Sequence, residues 1–169
     1  MCGIIGYKWK QYVPQMLLHG LERLEYRGYD SAGIAVIDKE NKVHLWKRVG
    51  KVSNLSQPVM EHKINNVVMG IGHTRRATHG GVTEENCHPH ISNDGKWVIA
   101  HNGIIENYLK LKQQLTADWF TFYSQTDTEV IVNLLQKNRD GDMLSTVQKT
   151  TKQLVWAYAL LIINKDIPG

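Results

Sequence analysis

The chain opens Met1-Cys2-Gly3-Ile4-Ile5-Gly6, and everything after it is read against those six residues. Cys2 follows the initiator Met directly, and a side chain that small normally lets the Met be trimmed. Trimming leaves a thiol and a free α-amine on one residue. A free α-amine has a pKa of roughly 7.7–8.0, so near neutral pH part of it is unprotonated and can take a proton. Nucleophile and general base then belong to the same residue. The plain alternative is a small cysteine in a buried strand. On six residues alone that alternative is the better reading, so the case rests on the rest of the chain.

Moving outward, residues 2–7 read as a short strand. Pro14 suits the first turn of a helix, and Leu17, Leu18, Leu21 and Leu24 form an apolar stripe at helical spacing. Residues 24–33 (LEYRGYDSAG) read as a polar loop. Strands at 34–37 and 43–48, joined by a turn, make a hairpin. A short helix is expected over 52–56 and a strand over 67–72, which runs into a polar, glycine-ended loop, His73-Thr74-Arg75-Arg76-Ala77-Thr78-His79-Gly80-Gly81, continuing to about Gly95. A loop that long without periodicity is usually functional or disordered. Residues 97–100 form a strand broken off by His101-Asn102-Gly103, and Ile104, Ile105, Leu109 and Leu115 support a helix. Thr126-x-x-Glu129 has capping-box form, so Asp127 falls in a first helical turn, where a carboxylate is favoured. Asp142 caps a further helix, and residues 156–163 form a last strand. Strand meanders with helices between them predict an α+β fold with antiparallel sheets.

Of 169 residues 42% are hydrophobic and 21% charged, which fits one folded domain rather than disorder. The net charge of +4 comes from scattered Lys and Arg, which argues against a nucleic-acid face. The longest apolar run, 157–163, is too short to span a membrane. Two cysteines, Cys2 and Cys87, make no disulfide framework, so a reducing, cytoplasmic setting is the default. Cys87-His88-Pro89-His90 lacks a second pair at ligand spacing, so no metal is expected.

Three polar clusters fall at strand ends: 27–31, 73–80 and 101–103. A thiolate attacking a carbonyl needs donors aimed at the oxygen that becomes negative, and the Asn102 amide and Gly103 N–H are of the right type. An amino-acid substrate also needs a cation for its carboxylate and an anion for its ammonium. Arg75 offers the planar fork for the first, and Asp127 the charge for the second. Each has a plainer reading: a tight turn, a surface ion pair, a helix-start residue.

With these residues in view, the chain resembles the glutaminase domains of the class II glutamine amidotransferases, which are N-terminal nucleophile hydrolases. The matching stretches are 2–6, 24–33, 50–52, 72–80 (GHTRRATHG), 88–90, 101–107 (HNGIIEN) and 126–130 (TDTEV). Residues 25–33 are similar to the hexosamine branch, the glucosamine-6-phosphate synthases. The resemblance implies a four-layer αββα sandwich of mainly antiparallel sheets over residues 2–169, with the last strands missing and the sugar-phosphate isomerase domains absent. It implies Cys2 as nucleophile, its amine as base, Arg27 orienting the N-terminus, and Asn102 and Gly103 as oxyanion hole. Arg75, Thr78, His79, Gly103 and Asp127 would hold L-glutamine. No cofactor is implied; fructose-6-phosphate would be met only through the absent domains, and full-length relatives would be homodimers.

Two residues depart from the pattern. Arg76 stands where the family has Trp, so hydrolysis is expected to survive while ammonia transfer leaks. Trp156 stands where the family commonly has Gly, and overpacking of about 1–3 kcal/mol is expected there. Residues 158–163 are expected to carry an unpaired edge. The competing readings are an inactive remnant that only binds glutamine or an intact synthase, and another amidotransferase of the class, for purine or asparagine synthesis.

Overall fold

The computed structural model describes residues 2–9, 12–62, 64, 66–77 and 80–167. Among these, the strands are β1 (Gly3–Lys8), β2 (Ser31–Asp38), β3 (Val43–Val49), β4 (Val67–Arg75), β5 (His90–Ile91), β6 (Trp97–Gly103) and β7 (Tyr158–Asn164). The helices are α1 (Val13–Leu24), α2 (Val52–Glu61), α3 (Tyr108–Ala117), α4 (Asp127–Lys137) and α5 (Met143–Thr151), with one 3-10 turn at Glu25–Arg27. The strands form two sheets, ordered β1-β4-β2-β3 and β5-β6-β7, and every pairing is antiparallel.

Three apolar layers hold four layers of structure together. Ala35, Ile71, Val98 and Ala100 meet between the sheets. Val13, Leu17, Leu18 and Leu21 of α1 and Val52, Leu55 and Val59 of α2 cover the outer face of the first sheet. Ile105, Leu111 and Leu115 pack with Val130, Ile131, Leu134 and Leu135 of α4 over the second. The result is the expected α+β, αββα sandwich. β2 shows why its sequence does not alternate: it is covered on both faces and buried at all eight positions.

The leucine stripe of α1 reaches the sheet closely because β4 offers a bare backbone. A Cβ on Gly70 would lie 2.8 Å from Leu17 Cδ1, and one on Gly72 would lie 3.1 Å from Leu21 Cδ1. Leu17 and Leu21 are fully buried; each such side chain contributes about 1.5–3 kcal/mol of burial, and Leu21→Ala would cost about 2–5 kcal/mol.

The capping residues behave as read. Thr126 accepts from the Glu129 N–H, and Asp142 accepts from the Ser145 N–H. The reciprocal half of the first box differs: the Glu129 carboxylate takes the Tyr123 and Ser124 N–H groups, at 2.9 and 2.7 Å.

Several boundaries move. β4 runs on through His73-Thr74-Arg75, and β6 through His101-Asn102-Gly103; both tripeptides are strand, not loop. α2 extends to Glu61 with Pro58 inside it, and Ser31 to Gly33 already belong to β2. The last strand starts at Tyr158. Trp156 is 64% exposed, so the expected overpacking is absent; its backbone instead takes φ 111, and the cost is strain. β7 pairs with β6 alone among the described residues, so the edge expected there is present.

Candidate active site

The site forms where β1, β4 and β6 end together between the sheets. Gly3 pairs with Thr74, and the Gly3 N–H also donates to Thr74 Oγ1 at 3.1 Å. That leaves Cys2 at the strand's end, half-buried. Its sulfur is held by a backbone that sequence reasoning did not single out. The Arg76 N–H donates to Cys2 Sγ at 3.2 Å, and the Arg76 carbonyl accepts from the thiol at 3.5 Å. From the second sheet, Asn102 Nδ2 donates to the Cys2 carbonyl at 3.1 Å.

Two cavities meet at Cys2. One, of about 30 Å³, is lined by Cys2, His73, Arg75, Gly103 and Asp127 among others. The other, of about 600 Å³, is lined by Cys2, Arg27, Arg76, Ala77, Asn102, Gly103 and Ile104. The first has room for a water or so, the second for a small ligand. Arg76, like Cys2 and Gly103, lines both. Its side chain is exposed and runs past Gly28, where a Cβ would lie 3.6 Å from its Cδ.

Gly103 has φ 138, and a Cβ there would lie 2.7 Å from the Ala157 carbonyl. Glycine is therefore required both by the backbone angle and by the neighbouring strand. Arg75 is 4% exposed; its guanidinium donates to the Gly81 carbonyl at 3.1 Å and the Gly80 carbonyl at 3.5 Å, with Asp30 Oδ1 at 3.9 Å. Asp127, at the start of α4, accepts from the Ile105 N–H at 2.8 Å, and His101 Nδ1 lies 3.8 Å away. Thus Cys2, Arg27, Arg75, Asn102, Gly103 and Asp127 are brought to one place. Thr78 and His79 lie outside the described residues.

Beneath them sits a cluster of imidazoles that the motifs did not flag as a group. His73, His88, His90 and His101 are all buried, with the His73 and His88 rings 4.2 Å apart and His88 and His90 4.9 Å apart. Burial pushes all four below the ordinary histidine value; His73 falls to about 3. Asp127 opposes this at His101. Among the described residues no group of three His, Cys, Asp or Glu is placed to hold a metal, and Cys87, also buried, donates to the Thr83 carbonyl.

Residues 58–164 match the glutamine amidotransferase domain family. The chain belongs to that family. This glutamine amidotransferase domain is 47% identical over 170 residues to glutamine–fructose-6-phosphate aminotransferase (isomerizing) of Idiomarina loihiensis, covering 99% of this chain and 28% of that protein. It is 48% identical to the enzyme of the same name from Aquifex aeolicus, again spanning 28% of it. The chain therefore spans about a quarter of the length of the curated relatives it matches. Among solved structures it resembles the allosteric regulatory enzyme of purine biosynthesis, with TM-score 0.84 and 32% identity over 96% of this chain and 35% of that one. Glutamine phosphoribosylpyrophosphate amidotransferase from B. subtilis superposes with TM-score 0.78 at 30% identity, over 97% and 35% of the two chains. The amidotransferase domain is thus nearer in sequence to the named hexose-phosphate aminotransferases than to these purine enzymes.

Proposed function

We propose that this domain hydrolyses L-glutamine to glutamate and ammonia through a thioester on Cys2, and that it supplies the ammonia for making glucosamine-6-phosphate from fructose-6-phosphate. The observation that carries the reading is the convergence of the Cys2 thiol with Asn102, Gly103, Arg75 and Asp127 at the ends of β1, β4 and β6.

Once Met1 is removed, the Cys2 amine takes the thiol proton and the sulfur attacks the side-chain amide carbon. The carbonyl oxygen becomes negative and is held by Asn102 Nδ2 and the Gly103 N–H. The amine passes its proton to the departing nitrogen, the C–N bond breaks, and ammonia leaves a γ-glutamyl thioester. Water then attacks that carbon, giving its proton to the amine, and the C–S bond breaks as the thiol is restored. Arg75 binds the substrate's α-carboxylate and Asp127 its α-ammonium, with Thr78 and His79 as further glutamine-binding residues; Arg27 orients the N-terminus. Glutamine needs more than about 30 Å³, so it also draws on the adjoining cavity of about 600 Å³ that shares Cys2 and Gly103 with the first. The setting is cytoplasmic; fructose-6-phosphate and a homodimeric partner belong to a full-length synthase.

One specific observation favours the rival reading, a domain that holds glutamine without cleaving it: the charged Arg76 lines the cleft beside Cys2. Intact mass spectrometry after incubation with a diazoketone analogue of glutamine separates the two. Hydrolysis requires a chain lacking Met1 with one adduct, absent from Cys2→Ala. A chain that keeps Met1, or an unlabelled Cys2, rejects the mechanism.

A further inference from the structure

We infer that His73 is a positioning residue: it fixes the side-chain amide of Asn102 so that its NH2 group, not its oxygen, faces Cys2 and the cleft. The inference rests on the glutamine-hydrolysing reading above and extends it to a residue that acts through Asn102.

His73 lies in β4 and reaches across the gap between the sheets to β6. Its Nε2 is 3.0 Å from the His101 carbonyl oxygen and 3.0 Å from Asn102 Oδ1. A backbone carbonyl can only accept, so Nε2 must carry the proton. The Asn102 atom facing that proton must then be the oxygen. The far end of the same amide obeys the same logic, because Asn102 Nδ2 sits 3.1 Å from the Cys2 carbonyl, another obligate acceptor. Two carbonyls on different strands leave one orientation. Turned over, the amide would set NH2 against an N–H and oxygen against oxygen, losing both bonds and leaving buried groups unpaired.

The arrangement also holds its protonation state. Burial keeps His73 down to about 3, against the Asn102 and His101 bonds that raise it, so the ring stays neutral with a single proton. That proton sits on Nε2, and Nδ1 has no partner among the described residues. The His88 ring, 4.2 Å away, packs against the imidazole and resists its turning. Asn102 spends one N–H on Cys2 and keeps the other for the cleft it lines. Without His73 nothing distinguishes the two faces of the amide at its β4 end, and an oxyanion donor is replaced part of the time by an acceptor.

The test is a double-mutant cycle on glutamine hydrolysis by the full chain. His73→Phe keeps the ring's shape and removes the donor; His73→Asn, whose amide is too short to reach, serves if Phe prevents folding. Losing one oxyanion donor outright costs about 10²–10³ in kcat, so misdirecting it should cost about 10- to 100-fold, with KM changed less than about threefold and alkylation of Cys2 by iodoacetamide unchanged. His73→Gln, which can place an N–H near Nε2, should recover most of the rate. In an Asn102→Ala background His73→Phe should have no further effect on kcat. Additive losses, or a change confined to KM, overturn the inference. An unmutated chain that releases no glutamate overturns instead the reading on which it rests.

Discussion

Asn102 Nδ2 lies 3.1 Å from the carbonyl oxygen of Cys2, tying the end of β6 in one sheet to the start of β1 in the other. The bond closes the sandwich at Cys2 and, on the proposed mechanism, aims an amide at the place where an oxyanion would form. Asn102→Ala should lower kcat for glutamine hydrolysis about 10²–10³-fold, with KM little changed. Steady-state glutamate release measures it, and a loss below about fivefold would remove Asn102 from the mechanism.

Gly103→Ala carries a different expectation, because the neighbouring strand forbids a side chain. With φ 138 and the Ala157 carbonyl 2.7 Å from the new Cβ, the variant should lose about 1–3 kcal/mol of stability. The displaced N–H should depress kcat as well. Thermal unfolding and kinetics on the same sample test both; a variant as stable and as active as the parent would show that β7 can shift away from β6 freely.

How far these residues were legible in advance depends on what pattern reading takes as a sign of burial. Apolar runs located the middles of β4 and β6, and the leucines of α1, without error. The reading stopped at Gly72 and Ala100 because the next residues are polar. Yet His73, Thr74 and Arg75 are 1%, 0% and 4% exposed: the strands continue into a buried site. Polar side chains were read as loops where they continue two buried strands. The motifs put forward Cys2, Arg75, Asn102, Gly103 and Asp127, and the fold brings them together. The Arg76 backbone that cradles the sulfur could not be, since every residue carries the same N–H and carbonyl. The indole of Trp156 was expected to crowd its surroundings, but only the backbone angle matters there.

That angle makes a stabilising substitution. Trp156 holds φ 111 while its side chain is 64% exposed, so little packing is lost on removing it. Trp156→Gly should relieve the strain and, after the added freedom of the unfolded glycine is set against it, gain about 1 kcal/mol. For a chain of this size that is about 2–4 °C in Tm. Trp156→Ala, which keeps the Cβ, should gain less than Gly. Equal Tm for Gly and Ala, or a fall with Gly, would count against strain at this position.

The imidazole cluster predicts how stability varies with pH. Burial lowers His73, His88, His90 and His101, and Lys47 and Arg75 add to the effect at His90, while Asp127 resists it at His101. Each ring is neutral in the folded chain but takes a proton in the unfolded one below about pH 6.5. The unfolded state therefore binds more protons, and stability rises with pH through this window. It is full above about pH 6.5 and is lost on acidification toward the folded value, about 3 for His73, at up to about 1.4 kcal/mol per pH unit for each ring. Tm should fall steeply between pH 7 and pH 5. His90→Gln, whose amide can still reach the Thr126 hydroxyl that His90 Nε2 meets at 3.0 Å, should flatten the slope by about one proton. Proton uptake on unfolding, read from the pH dependence of chemical denaturation, gives the count directly, and an uptake near zero at pH 5.5 would mean that the cluster is already charged in the folded chain.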